Sequence, residues 1–210
     1  MKFPPAFFVT GTDTGVGKTF VSGVLLAGLA GARYWKPVQS GCAEGADTAW
    51  LAAATGLPSS RFFPETHRLS APVSPHLAAR LEGVEIRLDD FALPALSSNE
   101  HLVVEGAGGV LVPLNQLDLM ADLMARLGLP VILVARSALG TINHSLLSLS
   151  ELTRRGIEVL GVVMNGPENP ENRKAIEHYG NVQVLARIPP VERVSPEILA
   201  RLFKECFPVA

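Results

Sequence analysis

The chain has 210 residues, 48% of them hydrophobic and 18% charged, with 18 Lys and Arg against 20 Asp and Glu for a formal net charge of −2. That length supports a sizeable core in one domain, and the charge balance lacks the basic field that nucleic acid would require. Two cysteines far apart in sequence, Cys42 and Cys206, make neither a disulfide framework nor a metal site, so reduced thiols in a cytoplasm are expected.

The apolar run Ala6-Phe7-Phe8-Val9-Thr10 reads as a buried strand. It leads into Gly11-Thr12-Asp13-Thr14-Gly15-Val16-Gly17-Lys18-Thr19 and then an apolar helical stretch at 20–27. Strand, glycine-rich loop and helix in that order are the context of a phosphate-binding loop. The glycines let backbone N–H groups turn inward on an anion, and Lys18 adds a point charge. The helix start adds its positive dipole end, and the Thr19 hydroxyl can reach Mg²⁺. The spacing G-x5-G-K-T is one residue longer than the general motif. The loop predicts a nucleotide-triphosphate site and begins too early for a secretory leader to be expected. No apolar run approaches the length of a membrane span.

Residues 32–38 predict a second strand, closed by the turn Gln39-Ser40-Gly41. Lys36 stands at the mouth end of that strand, where an α/β sheet collects ligands; it reads as a ligand-facing cation or as a surface charge. A helix starts near Asp47, which reads as a helix cap or as a carboxylate facing bound metal, two compatible roles. Residues 56–74 form a long connection. Ser74 as cap and Pro75 at the first helical position predict a helix over 74–81, with His76 packed or capping. A further helix is predicted over 88–96.

His101-Leu102-Val103-Val104-Glu105-Gly106-Ala107-Gly108-Gly109 is the second strong signal: a buried strand delivers one carboxylate into a glycine-rich turn. A carboxylate at such a strand end assists Mg²⁺ in nucleotide-hydrolysing folds, and the glycines let backbone approach phosphate. Burial of Glu105 calls for a metal or cationic neighbour. A helix with an apolar stripe follows at 118–127, then a fully apolar strand at 130–135, as a sheet covered on both faces requires. Residues 139–144 turn into a long helix ending near Arg155-Gly156; Asn143 and His144 read as caps or first-turn polar residues. A strand at 158–164 ends at Asn165-Gly166-Pro167. A helix from about Pro170, a strand at 182–188, the turn Pro189-Pro190-Val191 and a last helix at 195–206 complete the pattern. The alternation predicts a single α/β domain with a doubly wound, mostly parallel sheet flanked by helices, P-loop NTPase-like.

Over nearly its whole length the sequence resembles the dethiobiotin synthetases. The loop T-G-T-D-T-x-V-G-K-T, K-P-V-Q-S-G, P-V-S-P-H-x-A-A, V-E-G-A-G-G followed by P-L, P-V-I-L-V and L-G-T-I-N-H all match that family's pattern, whose loop is normally lengthened. The resemblance implies an ATP- and Mg²⁺-dependent ligase that joins CO2 to 7,8-diaminononanoate, forming the cyclic urea of dethiobiotin through a carbamate and a carbamic-phosphoric anhydride. It implies a cytoplasmic homodimer with no nucleic-acid or membrane partner. By the same resemblance Gly15, Val16, Gly17, Lys18, Thr19 and Phe20 hold the phosphates, and Thr19, Asp47 and Glu105 assist Mg²⁺. Gly106, Ala107 and Gly108 border the nucleotide. Lys36 joins Lys18 as a catalytic cation at the carbamate, and Ser40 contacts the diamine. Asn165 reads the adenine edge, with Gly166 beside it and Pro189, Pro190 and Val191 closing over the base. The turn at Thr141, Ile142 and Asn143 reaches a substrate carboxylate at the subunit interface. The competing reading is a partner-binding ATPase switch. Such switches carry an extra lysine at the start of the loop, where this chain has Thr10-Gly11-Thr12, and often a membrane-seeking last helix, where this one offers only Arg201 and Lys204 as basic residues.

Overall fold

The apolar runs become strands whose alternate side chains enter two separate cores. The computed structural model describes residues 2–207. Its strands are β1 (Ala6–Gly11), β2 (Arg33–Trp35), β3 (Val38–Gln39), β4 (His67–Arg68), β5 (Leu102–Glu105), β6 (Val131–Arg136), β7 (Val159–Asn165) and β8 (Val184–Ile188). Six of them form one sheet in the order β2-β5-β1-β6-β7-β8, with every neighbouring pair parallel. The helices are α1 (Lys18–Gly28), α2 (Asp47–Thr55), α3 (Pro75–Leu81), α4 (Met120–Leu127), α5 (Thr141–Arg154), α6 (Pro170–Gly180) and α7 (Pro196–Cys206).

The strand period of two divides the side chains between the faces. Phe7, Val9, Val103, Ile132 and Val134 pack with Val24 and Leu25 of α1, Leu51 of α2 and Leu199 of α7. Phe8, Val104, Val131 and Leu133 pack with Ala78 of α3, Leu123 of α4, Leu152 of α5 and Ile176 of α6. Phe7 and Phe8 are fully buried, each worth roughly 1.5–3 kcal/mol relative to exposure. Helices α1 and α7 approach over Gly28, where an added Cβ would lie 1.8 Å from Cγ of Phe203. Two helix starts follow their sequence signals. Asn169 and Ser195 accept N–H bonds from Asn172 and Ile198, each followed by Pro at the first turn.

From β1 the chain crosses to the edge strand β2, returns to β5 beside β1, and then builds β6, β7 and β8 on the other side. The loops after β1 and β5 therefore meet above the middle of the sheet, at its carboxyl edge, where a doubly wound fold binds ligands.

Four expectations need correction. The strand at 32–38 splits, because Pro37 has no N–H for a ladder: β2 belongs to the main sheet, whereas β3 pairs with β4, a strand inside the connection expected at 56–74, in a separate ribbon. The helix at 88–96 is a single 3-10 turn, Leu88–Asp90; Pro94 disfavours helical Leu93, and of residues 91–99 only Phe91 is buried. Ser74 precedes α3 but its side chain makes no cap bond. Asp118 lies outside α4, in a turn where its backbone N–H donates to Asn115 Oδ1.

Candidate functional site

Gly17, the residue before α1, has φ of +96°, and an added Cβ there would sit 2.1 Å from Nδ2 of Asn165. Only glycine meets both conditions. The first helical bond of α1 runs from the Val21 N–H to the Gly17 carbonyl. The N–H groups of Lys18, Thr19 and Phe20 therefore open the helix without helical acceptors, as an anion site requires. Lys18 is buried, and its Nζ donates to the Asp13 carbonyl at 3.0 Å. Desolvation lowers its pKa to about 8 against the opposing pull of Glu105.

Glu105 ends β5 fully buried. Its Oε2 accepts from Ser22 Oγ at 2.8 Å and Tyr34 OH at 3.0 Å, and its Oε1 from Lys36 Nζ at 2.9 Å. Lys36 also donates to Asp47. The Thr19 hydroxyl lies 2.9 Å from Glu105 Oε1 and 3.0 Å from Asp47 Oδ1, although its one proton serves a single acceptor at a time. Burial opposes the charge on Lys36, but Glu105 and Asp47 outweigh it and raise its pKa. Burial likewise works against the Asp47 carboxylate, but Lys36 and then Thr19 prevail and hold its pKa below the usual range. Burial and then Glu105 push the Tyr34 phenol well above its ordinary value, so it stays a donor. Two carboxylates and a hydroxyl facing an anion-binding loop form a hard-oxygen set that suits a cation such as Mg²⁺, which completes its shell with water and phosphate. Lys36 is the cation between them here.

Gly15, Gly17, Lys18, Thr19, Lys36, Ser40, Asp47, Glu105, Ala107 and Gly108 line one cleft of about 330 Å³. Asp47 is the first residue of α2 rather than its cap; Ala46 takes the cap position. Val16 is buried under the loop and Gly106 behind it, where its Cβ would meet Phe8 at 2.8 Å. Phe20 packs partly against the core under α1. Asn165 reaches the loop, with Nδ2 donating to the Val16 carbonyl at 3.0 Å. The Gly166 N–H donates to the Ile188 carbonyl, which brings Gly166 beside Pro189, Pro190 and Val191 on the same carboxyl edge. Thr141, Ile142 and Asn143 start α5 outside this cleft; Thr141 is buried, with its hydroxyl on the Arg136 carbonyl at 2.5 Å, and Asn143 is exposed. Sequence reasoning missed Gln39 and Thr14, which line the cleft, and Ser22 and Tyr34, which hold Glu105. His76 donates its backbone N–H to the Pro113 carbonyl, away from this cleft.

The family model described as an AAA domain matches residues 5–198. Among curated proteins, the ATP-dependent dethiobiotin synthetase BioD of Paramagnetospirillum magneticum is 52% identical over 195 residues, 93% of this chain and 93% of its own. The protein of the same name from Rhodopseudomonas palustris is 47% identical over 206 residues, covering 97% and 96%. Solved structures share the architecture at much lower identity. The MinC:MinD cell division protein complex of Aquifex aeolicus matches at 14% identity and a TM-score of 0.55, covering 95% of this chain and 86% of that one. The cell division ATPase MinD of Pyrococcus furiosus matches at 15% and 0.51, covering 96% and 98%. These likenesses carry the P-loop ATPase fold alone, whereas identity near one half over almost the full length carries more: the chain belongs to the ATP-dependent dethiobiotin synthetase family.

Proposed function

We propose that this chain, acting as one domain in a cytoplasmic homodimer, forms the cyclic urea of dethiobiotin from 7,8-diaminononanoate and CO2 with cleavage of ATP to ADP and phosphate. The observation that carries the reading is Lys36, a buried ammonium held at the phosphate loop by Asp47 and Glu105. One amine of the diamine attacks CO2 and loses a proton, giving a carbamate. A carbamate oxygen attacks the γ-phosphorus and ADP leaves, giving a mixed anhydride. The second amine attacks the anhydride carbonyl carbon; phosphate leaves, a proton is lost and the ring closes.

The first transfer brings two anions together, so the site must supply positive charge between them. Lys18 and the loop N–H groups bind the β- and γ-phosphates. Lys36 meets the carbamate and γ-phosphate oxygens together, as a compact ammonium can. Thr19, Asp47 and Glu105 would hold Mg²⁺, which when bound adds charge neutralisation on the phosphates. Ser40 contacts the diamine, and residues 141–143 meet its carboxylate across the dimer interface. Because both amines belong to one held substrate, ring closure is intramolecular. Asn165 and Gly166, with Pro189, Pro190 and Val191, border the adenine.

Product formation from the diamine, CO2 and MgATP tests the activity, and ATP cleavage that proceeds equally without the diamine would overturn it in favour of a switch. Lys36→Gln tests the mechanism. It is expected to bind ATP nearly as the parent does and to form product about 10²-fold more slowly or worse, the scale of losing one electrostatic stabiliser. Turnover within about twofold of the parent would remove Lys36 from the chemistry.

A further inference from the structure

We propose that Gln39 is a positioning residue that fixes the Asp47 carboxylate at the metal end of the nucleotide site. The proposal rests on the reading of Asp47 as a metal ligand. Gln39 is polar, uncharged and only 6% exposed, and it faces the same cleft as Lys18, Lys36 and Asp47. Its Oε1 accepts the backbone N–H of Asp47 at 3.0 Å, and its Nε2 donates to the Ser40 carbonyl at 2.7 Å. The second bond orients the amide. A carbonyl cannot donate, so the NH2 must face Ser40, which leaves the oxygen for the Asp47 N–H.

Helix α2 needs that acceptor. An N-terminal turn has unpaired N–H groups, normally met by Ser, Thr, Asp or Asn at the cap position. Here that position is Ala46, which has no side-chain acceptor. Gln39 supplies one from outside the helix, across a turn whose Gly41 and Gly45 both have positive φ. Its own backbone is anchored: β3 pairs with β4, and the Leu69 N–H donates to the Gln39 carbonyl at 2.8 Å. The ribbon is thus a fixed post, and the Gln39 amide ties the first turn of α2 to it. Asp47 is the residue so tied, and its carboxylate faces Thr19 and Lys36. Without the tie the first turn frays, and the carboxylate loses a fixed place relative to Glu105.

Calorimetric titration of ATP, once with Mg²⁺ and once with EDTA, separates this role from a general structural one. Gln39→Met keeps the length and removes the acceptor. It should lose about tenfold in affinity for ATP with Mg²⁺, the effect of one lost helix cap, and stay within about twofold in EDTA. The Mg²⁺ concentration for half-maximal turnover should rise in Gln39→Met. Equal affinity of parent and Gln39→Met with Mg²⁺ would overturn the proposal, as would equal losses with Mg²⁺ and EDTA. Asp47→Asn serves as the control. If it binds ATP with Mg²⁺ as tightly as the parent, the metal role of Asp47 itself fails, and the proposal falls with it.

Discussion

At the scale of single residues, the site is a problem in buried charge. Glu105 has no exposure, and a carboxylate so placed needs donors and a counter-ion. Ser22 and Tyr34 donate to one oxygen and Lys36 to the other, while Lys36 also neutralises Asp47. Lys36 thus stands where a metal would bring the same two carboxylates together. Lys36→Met should therefore bind Mn²⁺ in the absence of nucleotide at least about tenfold more tightly than the parent, by electron spin resonance. It should also be destabilised by about 3–5 kcal/mol, the scale of breaking a buried pair, and regain melting temperature as Mn²⁺ is added. Unchanged Mn²⁺ affinity would show that the pair is not a cation seat. Glu105→Gln keeps the shape and removes a charge, so the Mg²⁺ requirement for turnover should rise and the rate fall; parent-like turnover at low Mg²⁺ would leave Glu105 a structural role only. Two of the principal charged groups were legible from a local pattern, Lys18 from its loop and Glu105 from a strand before glycines; Lys36 at a strand end read equally as a surface charge, and only the family resemblance put it in the site. Tyr34 looked like any strand aromatic, Ser22 like any small helix residue and Gln39 like a turn residue. Their roles depend on where Glu105 and Asp47 arrive from distant segments.

At the scale of elements, strong periodicity survived folding and weak periodicity did not. Strand β6 and helix α5 each keep their expected places because burial on a two-faced sheet rewards their patterns. The stretch at 88–96 had helical composition but no stripe to bury, and Pro94 removed a backbone donor, so packing left it irregular. The long connection hid the β3–β4 ribbon, because two-residue strands carry no readable alternation. Helix α5 is also secured at its far end. Arg154 Nη2 and Arg155 Nε donate to Glu151 Oε1 at 2.7 and 2.5 Å, and Arg155 reaches on to Asp122 of α4. The hydrogen bonds from Arg154 and then Arg155 hold the Glu151 carboxyl at about 2, against an ordinary 4.5. A lowered carboxyl stabilises fully above its unfolded value, and the gain is lost as pH falls toward its folded value. Glu151→Gln should unfold at lower urea than the parent at pH 7, and the gap should close between pH 4.5 and 2. A gap of constant size across that range would mean that the charge on Glu151 contributes nothing.

At the scale of the whole molecule, this chain shares its fold with the MinD structures it resembles at 14–15% identity and TM-scores of 0.51–0.55. The fold therefore leaves the reaction open, and assembly is one place where a synthetase can differ from a switch. In the proposed homodimer, residues 141–143 at the start of α5 complete a substrate site across the interface. The surface around that helix start is unusually apolar. Leu139 is fully exposed, and Leu147 and Leu111 are more than half exposed. Leu111 and Leu147 line one cleft with His144, beside Thr12 and Asp13 of the phosphate loop. Apolar side chains clustered on a surface favour burial against a partner, and this cluster adjoins the loop that the nucleotide would occupy. Leu147→Glu places a charge on that face, outside both cores and outside the cleft around Lys18. It is expected to sediment as a monomer where the parent sediments as a dimer, and to bind ATP within about twofold of the parent, since Leu147 does not line the cleft around Lys18. Dethiobiotin formation should nevertheless fall, and raising the protein concentration should restore part of it by driving reassociation. A parent that sediments as a monomer with full activity would overturn the shared site. A monomeric Leu147→Glu variant with undiminished turnover would do the same, because residues 141–143 would then act on the substrate without a neighbour.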